Sequence, residues 1–256
     1  MTVSHNMTSS DDARGRNPPA AVALRNVRFR YPDAREDALR VDSFTVAAGE
    51  RVFVRGPSGC GKTTLLSLIA GVLVASEGAV ELQSRDWASL TSSARDRLRA
   101  DRIGYIFQQF NLLPYVSVLD NVLLPCRFSA QRAKRAGGND GAIVARAEAL
   151  LAQMGLGREY GHRQASALSV GQQQRVAAAR ALIGQPELVV ADEPTSALDE
   201  AVRESFMRVL LAACMEAGSA LVFVSHDARL AQRFERQVDL PSLNRASAAP
   251  AEAALA

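Results

Sequence analysis

The feature that most constrains this chain is a glycine-rich segment, residues 56–63, with the sequence GPSGCGKT. It matches the pattern G-x-x-x-x-G-K-[ST] and lies between an apolar run, residues 51–55, and an amphipathic run, residues 62–74. In that context the glycines let backbone N–H groups turn toward phosphate oxygens, and a helix N-terminus adds its dipole. The segment therefore predicts a buried strand, a phosphate-binding loop and a helix, in preference to a turn that only connects two elements.

Lysine is rare elsewhere in the chain, which draws attention to the lysine of this loop. Of the 30 basic residues only Lys62 and Lys134 are lysine. A lysine in this position reaches the β- and γ-phosphates of a nucleotide, and the Thr63 hydroxyl can take a coordination position on Mg²⁺. We therefore predict that a nucleoside triphosphate and Mg²⁺ bind here, with nucleotide contacts from Gly56, Pro57, Ser58, Gly59, Cys60, Gly61, Lys62, Thr63 and Thr64.

A second candidate site is the apolar run 188–191, which ends in two adjacent carboxylates, Asp192 and Glu193. Side chains alternate across a strand, so neighbouring acids can serve different tasks. Asp192 suits the Mg²⁺ shell, directly or through water, and Glu193 suits the polarisation of an attacking water. An acidic pair after a strand is, taken alone, more often a solvated loop start. Its combination with the phosphate loop favours the catalytic interpretation.

The composition indicates an ordinary folded body in a reducing compartment. Hydrophobic residues make up 48% and charged residues 22% of 256 residues. The net charge is +3, but the arginines alternate with acids and no basic run carries interleaved aromatics, so nucleic acid is not expected as a partner. Cys60, Cys126 and Cys214 lack metal or disulfide spacing, which is typical of the cytoplasm. No stretch approaches the ~18 apolar residues of a membrane span.

Short β-branched runs alternate with longer amphipathic segments, which predicts an α/β fold with a mostly parallel sheet flanked by helices. Strands at residues 22–31 and 43–46 precede any helix and favour an N-terminal antiparallel β lobe. The remaining predicted strands are residues 79–82, 103–107, 188–192 and 220–225, and the remaining helices are residues 172–183, 200–217 and 227–234.

The domain organisation follows from where these signals stop. Residues 116–164 have helical spacing and few strand signals, which predicts a helical subdomain of about residues 110–175 inserted in the sheet. Residues 1–20 are polar and aperiodic, and residues 245–256 are rich in alanine. We expect both ends to be disordered, a leader and a tail, with one folded domain over residues 21–244.

Residues 168–175, LSVGQQQR, carry a specific family resemblance. The chain resembles the ABC ATPase superfamily, whose signature reads LSGGQ, and the order of the motifs extends the likeness over about residues 21–240. The resemblance implies a P-loop NTPase (RecA-like) fold and ATP hydrolysis. It implies roles for Gln108 as the Q-loop glutamine and a Mg²⁺ ligand, for Asp199 in the D-loop (SALD, residues 196–199), and for His226 as the switch histidine. The implied catalytic set is Lys62, Glu193, Gln108 and His226. The alternative for Gln108 and for His226 is a plain polar residue at a strand end.

The signature segment also implies a dimer. A serine and a glycine at a helix start offer a hydroxyl, N–H donors and a dipole to an anion. In the family that anion is the γ-phosphate held by the opposite subunit, so Ser169, Gly171 and Gln172 are expected to contact ATP across a homodimer; a simple N-cap is the alternative for Ser169. Val170 replaces the first signature glycine, and its stiff side chain requires an ordinary backbone conformation. We expect activity with altered ATP affinity or dimer stability.

Two further expectations come from the resemblance. Tyr31 stands where the family places an aromatic ring under adenine, with Phe29 as the alternative. Residues 104–114 (GYIFQQFNLLP) and 117–122 (SVLDNV) are most similar to the lipoprotein-releasing, macrolide-exporting and cell-division ATPases. The apolar run 110–118 then fits a groove for a coupling helix of a membrane permease, and core packing is the alternative.

The similarity to that subgroup implies a subunit that powers a separate permease from the inner face of the membrane, for export or for lipid, lipoprotein or peptide translocation. The alternative is a regulatory ATPase that signals through a permease-like partner without transport. A soluble ABC protein of DNA repair or translation is disfavoured, because the sequence contains neither a coiled-coil insertion nor a second ATPase domain.

Overall fold

Two β-sheets form the framework of the computed structural model, which describes residues 20–196 and 198–248. The first sheet is antiparallel and consists of β1 (Ala20–Phe29), β2 (Leu39–Ala47), β4 (Glu77–Leu82) and β5 (Arg85–Asp86). Its spatial order is β2-β1-β4-β5. The predicted N-terminal antiparallel lobe is therefore confirmed, and the strand predicted at residues 79–82 belongs to it as β4.

The second sheet is entirely parallel. It consists of β3 (Arg51–Arg55), β6 (Ile103–Ile106), β7 (Leu188–Asp192), β8 (Ala220–Val224) and β9 (Arg236–Asp239). The spatial order is β6-β7-β8-β3-β9. All five residues of β8 are buried, as expected for a parallel strand covered on both faces. The predicted α/β class with a mostly parallel sheet is confirmed.

Helices cover this sheet. Four of them are α1 (Lys62–Ile69), α2 (Ser92–Arg102), α6 (Val170–Leu182) and α7 (Glu200–Ala217), and a short helix, α8 (Leu240–Leu243), follows β9. Three more helices occupy the stretch predicted as a helical insertion: α3 (Val118–Phe128), α4 (Ala130–Arg135) and α5 (Asp140–Gln153). Among the described residues, none of the helices combines the length and apolar character needed to cross a bilayer.

Two hydrophobic cores lie on opposite faces of the parallel sheet, because side chains alternate along each strand. Phe53 of β3 packs with buried residues of α6 and α7, such as Val176 and Phe206. Its neighbours Val52 and Val54 pack with α1 and with the antiparallel sheet. The sheet is thus packed between two cores, and the loops that follow its strands lie at its carboxyl edge.

Several boundaries differ from the sequence predictions. Helix α1 ends at Ile69 instead of residue 74, because Gly71 has φ +65° and a Cβ atom there would lie 2.5 Å from the Trp87 ring. The segment predicted as a helix over residues 227–234 is a 3₁₀-helix, Ala228–Arg233. Helix α2 and strands β5 and β9 were not predicted.

The chain ends also differ in part from the expectation. Residues assigned to the start of the tail form a 3₁₀-helix, Arg245–Ala248, and Arg245 pairs with Asp42 of β2 at 2.8 Å. The remaining tail residues, 249–256, and leader residues 1–19 lie outside the described part of the chain.

Candidate functional site

Four segments predicted to carry chemistry meet at the carboxyl edge of the parallel sheet. The phosphate loop follows β3, Gln108 follows β6, the acidic pair ends β7 and His226 follows β8. Since parallel strands end at the same edge, the strand order brings these segments together. Three of these segments form a cleft of about 340 Å³ lined by Ser58, Gly59, Gly61, Lys62, Thr63, Thr64, Gln108, Asp192 and Glu193. The fourth, His226, lines a different cleft and contacts this one through Glu193.

The phosphate loop holds Lys62 in a defined position. Gly61 has φ +98° at the N-cap of α1, a conformation that glycine adopts without strain. The Lys62 side chain is almost fully buried, and its Nζ donates hydrogen bonds to the carbonyl oxygens of Gly56 at 3.0 Å and Pro57 at 2.9 Å. The same Nζ lies 3.4 Å from Oε1 of Glu193. The ammonium group therefore sits between the loop and the acidic strand end.

Glu193 is fixed from two further directions. Its backbone N–H donates to the carbonyl of Val224 in β8 at 3.0 Å, and its Oε2 lies 3.0 Å from Nδ1 of His226. Its φ of +43° is uncommon for a residue with a side chain. Backbone strain of this kind persists where the surrounding structure imposes it, and such places cluster at functional sites. The structure thus brings Lys62, Glu193 and His226 into one contact chain.

Asp192 and Thr63 form a second contact in the same cleft. The Thr63 hydroxyl donates to Oδ2 of Asp192 at 3.4 Å. Burial and then the negative charge of Glu193 raise the pKa of Asp192 above its ordinary value. Burial, with a smaller contribution from Asp192, raises the pKa of the neighbouring Tyr105. A carboxylate in these surroundings is stabilised by a cation, and hydroxyl, amide and carboxylate oxygens are ligands that Mg²⁺ accepts.

The signature residues lie in a different cleft. Ser169, Val170, Gly171, Gln172, Leu198 and Asp199 line it, and it shares no lining residue with the phosphate-loop cleft in the part of the chain that the structure describes. Ser169 is the N-cap of α6: its Oγ accepts from the Gln172 backbone N–H at 3.3 Å, and the Gln172 side chain accepts from the Ser169 backbone N–H at 3.0 Å. Ser169 and Gln172 therefore cap the helix reciprocally. The Ser169 hydroxyl accepts in this cap and keeps its own proton to donate.

Val170 and Asp199 occupy ordinary helix-start geometry in this second cleft. Val170 is the first residue of α6, and its side chain stays about half exposed. Asp199 is the N-cap of α7, and its Oδ1 accepts from the Val202 backbone N–H at 2.9 Å. Residue 197, within the predicted D-loop, lies outside the described residues. A single chain therefore presents two half-sites.

The two candidate adenine-contacting aromatics differ in exposure. Phe29, the last residue of β1, is buried, whereas Tyr31 lies just beyond the strand and is 43% exposed. The two rings pack edge to face with centroids 4.9 Å apart. The Tyr31 hydroxyl forms a 3.1 Å hydrogen bond with Oγ1 of Thr64 in α1. Tyr31 thus offers a ring surface beside the phosphate loop, and Phe29 does not.

Asn244 supports the site, although no pattern in the sequence indicates this role. It is buried, its Nδ2 donates to the carbonyls of Ala38 at 3.2 Å and Cys60 at 3.3 Å, and its Oδ1 accepts from the Arg40 backbone N–H at 2.8 Å. It ties the phosphate loop to the start of β2 from the far end of the chain. A lone asparagine after a short helix carries no local signal of such a role.

The phosphate loop between β3 and α1, the acidic end of β7 and the adjacent histidine define a P-loop nucleotide-hydrolase fold and site. The signature segment at the start of α6 narrows this class. The chain belongs to the ABC transporter family, whose sequence profile matches residues 39–196. The family resemblance seen in the sequence is confirmed, and the chain is an ABC ATPase.

Known proteins similar to the chain include members of the subgroup that the sequence resembles. The lipoprotein-releasing system ATP-binding protein LolD of Novosphingobium aromaticivorans is 39% identical over 86% of this chain and 95% of its own length. The macrolide export ATP-binding/permease protein MacB of Syntrophobacter fumaroxidans is 39% identical over 85% of this chain, but the chain spans only 30% of that protein.

A solved structure agrees with this assignment. The ATP-binding cassette MJ0796, solved as a dimer in a post-hydrolysis state bound to ADP and Pi, is 35% identical to the chain. The similarity covers 86% of this chain and 94% of that one, with a TM-score of 0.75.

Proposed function

We propose that this chain binds Mg-ATP in the phosphate-loop cleft and hydrolyses it as a homodimer, and that this cycle drives a separate membrane permease. The observation that carries the proposal is the contact chain at the carboxyl edge of the sheet, in which Glu193 lies between Lys62 and His226. A buried cation of the phosphate loop, a constrained carboxylate beside it and a histidine in contact with that carboxylate suit stabilisation of phosphate charge and activation of water.

Nucleotide binding begins with Lys62. Its ammonium group now contacts two carbonyl oxygens and Glu193. Phosphate oxygens entering the cleft replace some of these partners, while the backbone N–H groups of the loop and the start of α1 bind the same phosphates. The ring of Tyr31 stacks on the base from the side of Thr64.

The cleft also fits Mg²⁺. Thr63, Asp192 and Gln108 would hold it, since they line the cleft together and offer hydroxyl, carboxylate and amide oxygens. The described residues contain no cluster of three or more His, Cys, Asp or Glu side chains suited to a metal, so phosphate oxygens would complete the shell. When bound, Mg²⁺ neutralises negative charge on the phosphates.

Glu193 is the residue that we assign to water activation. Its carboxylate accepts from the attacking water, while the contact with Nδ1 of His226 fixes one of its oxygens. Gln108 lies in the same cleft and can orient the water. Ser169, Gly171, Gln172 and Asp199 of a second copy complete the site from the other side of the nucleotide.

Substitution at Glu193 and Lys62 tests the hydrolytic part. Glu193→Gln should bind ATP but lose about 10²–10⁴-fold in kcat, because the general base is gone. It should accumulate as an ATP-bound dimer on a sizing column, and Lys62→Ala should lose nucleotide binding. Glu216→Gln, at a half-exposed acid of α7 that lines neither cleft, is the matched control and should behave as wild type. Wild-type turnover by Glu193→Gln would remove Glu193 from the catalytic role.

The permease part of the proposal is supported by a surface groove of about 710 Å³ between α2, α3 and α6. Phe107 and Phe128 line it, and Phe128 is 77% exposed. Of the run 110–118, which was expected to supply the groove, Asn111 lines this one, whereas Phe110 and Val118 are buried in the core. Core packing therefore accounts for part of that run. Arg97 is an exposed cation at the groove, which favours an amphipathic helix with an acidic residue as the occupant.

The test of the permease assignment uses a membrane protein that co-purifies with this chain. Vesicles containing that protein should retain the wild-type chain and stimulate its ATPase activity, whereas Phe128→Glu should bind more weakly with unchanged basal ATPase. Movement of a lipid, lipoprotein or peptide in those vesicles supports transport. ATP-dependent changes in the partner without such movement would support a regulatory role, and equal binding of Phe128→Glu would contradict the groove assignment.

A further inference from the structure

Two loops at the carboxyl edge of the sheet face each other across a polar cleft. Residues 194–196 and 198–199 follow β7, and residues 225–227 follow β8. The cleft between them has a volume of about 370 Å³ and is lined by Thr195, Ser196 and His226, among others. The first loop leads into the half-site of Ser169, and the second carries the contact to Glu193.

Arg203, in the first turn of α7, spans this cleft. Its Nη2 donates to the carbonyl oxygen of Leu198 at 2.9 Å, and its Nη1 donates to Oδ2 of Asp227 at 2.6 Å. Both ionic side chains are largely buried, with 17% of Arg203 and 15% of Asp227 exposed. The planar guanidinium group presents several N–H donors in fixed directions, so one side chain can hold both acceptors at once.

The two acceptors belong to different half-sites. Leu198 lines the cleft of Ser169 and Asp199, which we assign to the nucleotide of the opposite subunit. Asp227 directly follows His226, whose Nδ1 contacts Glu193. The contacts therefore run from Leu198 through Arg203 to the histidine loop within one chain.

We propose that Arg203 is a positioning residue for ATP hydrolysis, which couples the loop that meets the partner subunit to the orientation of His226 against Glu193. This inference rests on the proposed function. Arg203 touches neither nucleotide nor water in this scheme; it acts by holding the loop of His226 at a fixed place relative to Leu198. A shift of the Leu198 loop on dimer formation would then move the loop of His226 and change the orientation of His226 against Glu193.

The chain provides a matched comparison in Arg229. It also pairs with Asp227, through Nη2 at 2.9 Å from Oδ2 and Nε at 2.9 Å from Oδ1, and it reaches Glu200 of α7 at 3.2 Å. Its side chain is 66% exposed, however, and it contacts no loop carbonyl in the described residues. Water and salt reach the Arg229 side of this pair and screen it more than they screen the buried Arg203. Arg229 thus shares the charge partner of Arg203 without the buried bridge.

The experiment compares R203M, R203K and R229M by steady-state ATPase kinetics and thermal unfolding. R203M should lower kcat about tenfold while KM for ATP stays within about twofold, since orientation at the reacting centre is lost and nucleotide contacts are not. R203K should retain an intermediate kcat, because a single ammonium group replaces the rigid fork less well. R229M should keep kcat and KM within about twofold of wild type.

Three outcomes would overturn the inference. One is a wild-type kcat in R203M. Another is a lower melting temperature in R203M with an unchanged kcat per folded molecule, which would make Arg203 purely structural. The third is an equal loss of kcat in R229M, which would assign the effect to charge near Asp227 and not to the bridge. A wild-type chain without ATPase activity would overturn the proposed function, and the inference with it.

Discussion

Arg132 attaches the helices α3–α5 to the parallel sheet, and its replacement should destabilise the fold. It lies in α4 with 2% of its surface exposed. Its Nε donates to the Ile183 carbonyl at 2.8 Å, its Nη2 to the Ala181 carbonyl at 2.5 Å and its Nη1 to the Ile103 carbonyl at 3.2 Å. These acceptors stand at the end of α6 and the start of β6. Burial lowers the pKa of Arg132 to about 10, so the group remains charged at neutral pH.

The substitution R132M keeps an apolar stem of similar length and removes every donor. Three buried carbonyls then lose a partner at about 1–3 kcal/mol each, partly offset because the buried charge is gone as well. The net loss in the free energy of unfolding should be about 3–5 kcal/mol. At about 2–4 °C per kcal/mol for a chain of this size, Tm should fall by about 6–20 °C.

Thermal unfolding of the nucleotide-free protein measures this shift, with R127M as the control. Arg127 lies nearby in α3, pairs with Asp120 and is 56% exposed, so its loss should cost about 0–1 kcal/mol. A Tm for R132M within about 3 °C of that for R127M would refute the reasoning. It would mean that the three carbonyls find other partners or that the attachment of α4 contributes little.

Two further predictions concern the half-sites. V170G, made in the Glu193→Gln background, should dimerise at severalfold lower ATP concentration, because the exposed valine side chain is removed from the start of the signature helix. An unchanged dimer fraction in analytical ultracentrifugation would show that valine in place of the signature glycine has no effect on dimerisation. D192N should abolish Mg-dependent turnover yet raise Tm of the nucleotide-free protein at pH 7.5. The raised pKa of Asp192 means that the folded protein favours the protonated carboxyl group. Asp192 therefore stabilises the fold below the unfolded pKa of 3.8, and this stabilisation is lost as the pH rises through the pKa of Asp192 in the folded protein. The gain in Tm should shrink toward pH 3.8, and a lower Tm for D192N at pH 7.5 would contradict the assigned cause of the shift.

Local sequence was sufficient where one contiguous segment sets the geometry. The phosphate loop needs glycines at fixed places and a helix directly after it, and residues 56–63 meet both conditions in sequence and in structure. The strands of the parallel sheet were predictable because burial on both faces requires short apolar runs. Helix α2 was not predicted because Leu98 is its single buried residue and most of its other residues are polar. Strand β9 (RQVD) was not predicted because it lacks an apolar run.

What the amino-acid sequence determined by itself was therefore the chemistry of each segment: a phosphate loop, an acidic strand end, a histidine after a strand and a capped signature helix. Tertiary structure alone decided which of these groups meet. The order β6-β7-β8-β3-β9 puts Lys62, Glu193 and His226 in contact and leaves Ser169 in another cleft. Tertiary structure also brings Asn244 to Cys60 in the phosphate loop and Arg203 to Asp227 in the loop of His226. Such contacts depend on distances across the fold, and no local pattern of residues encodes them.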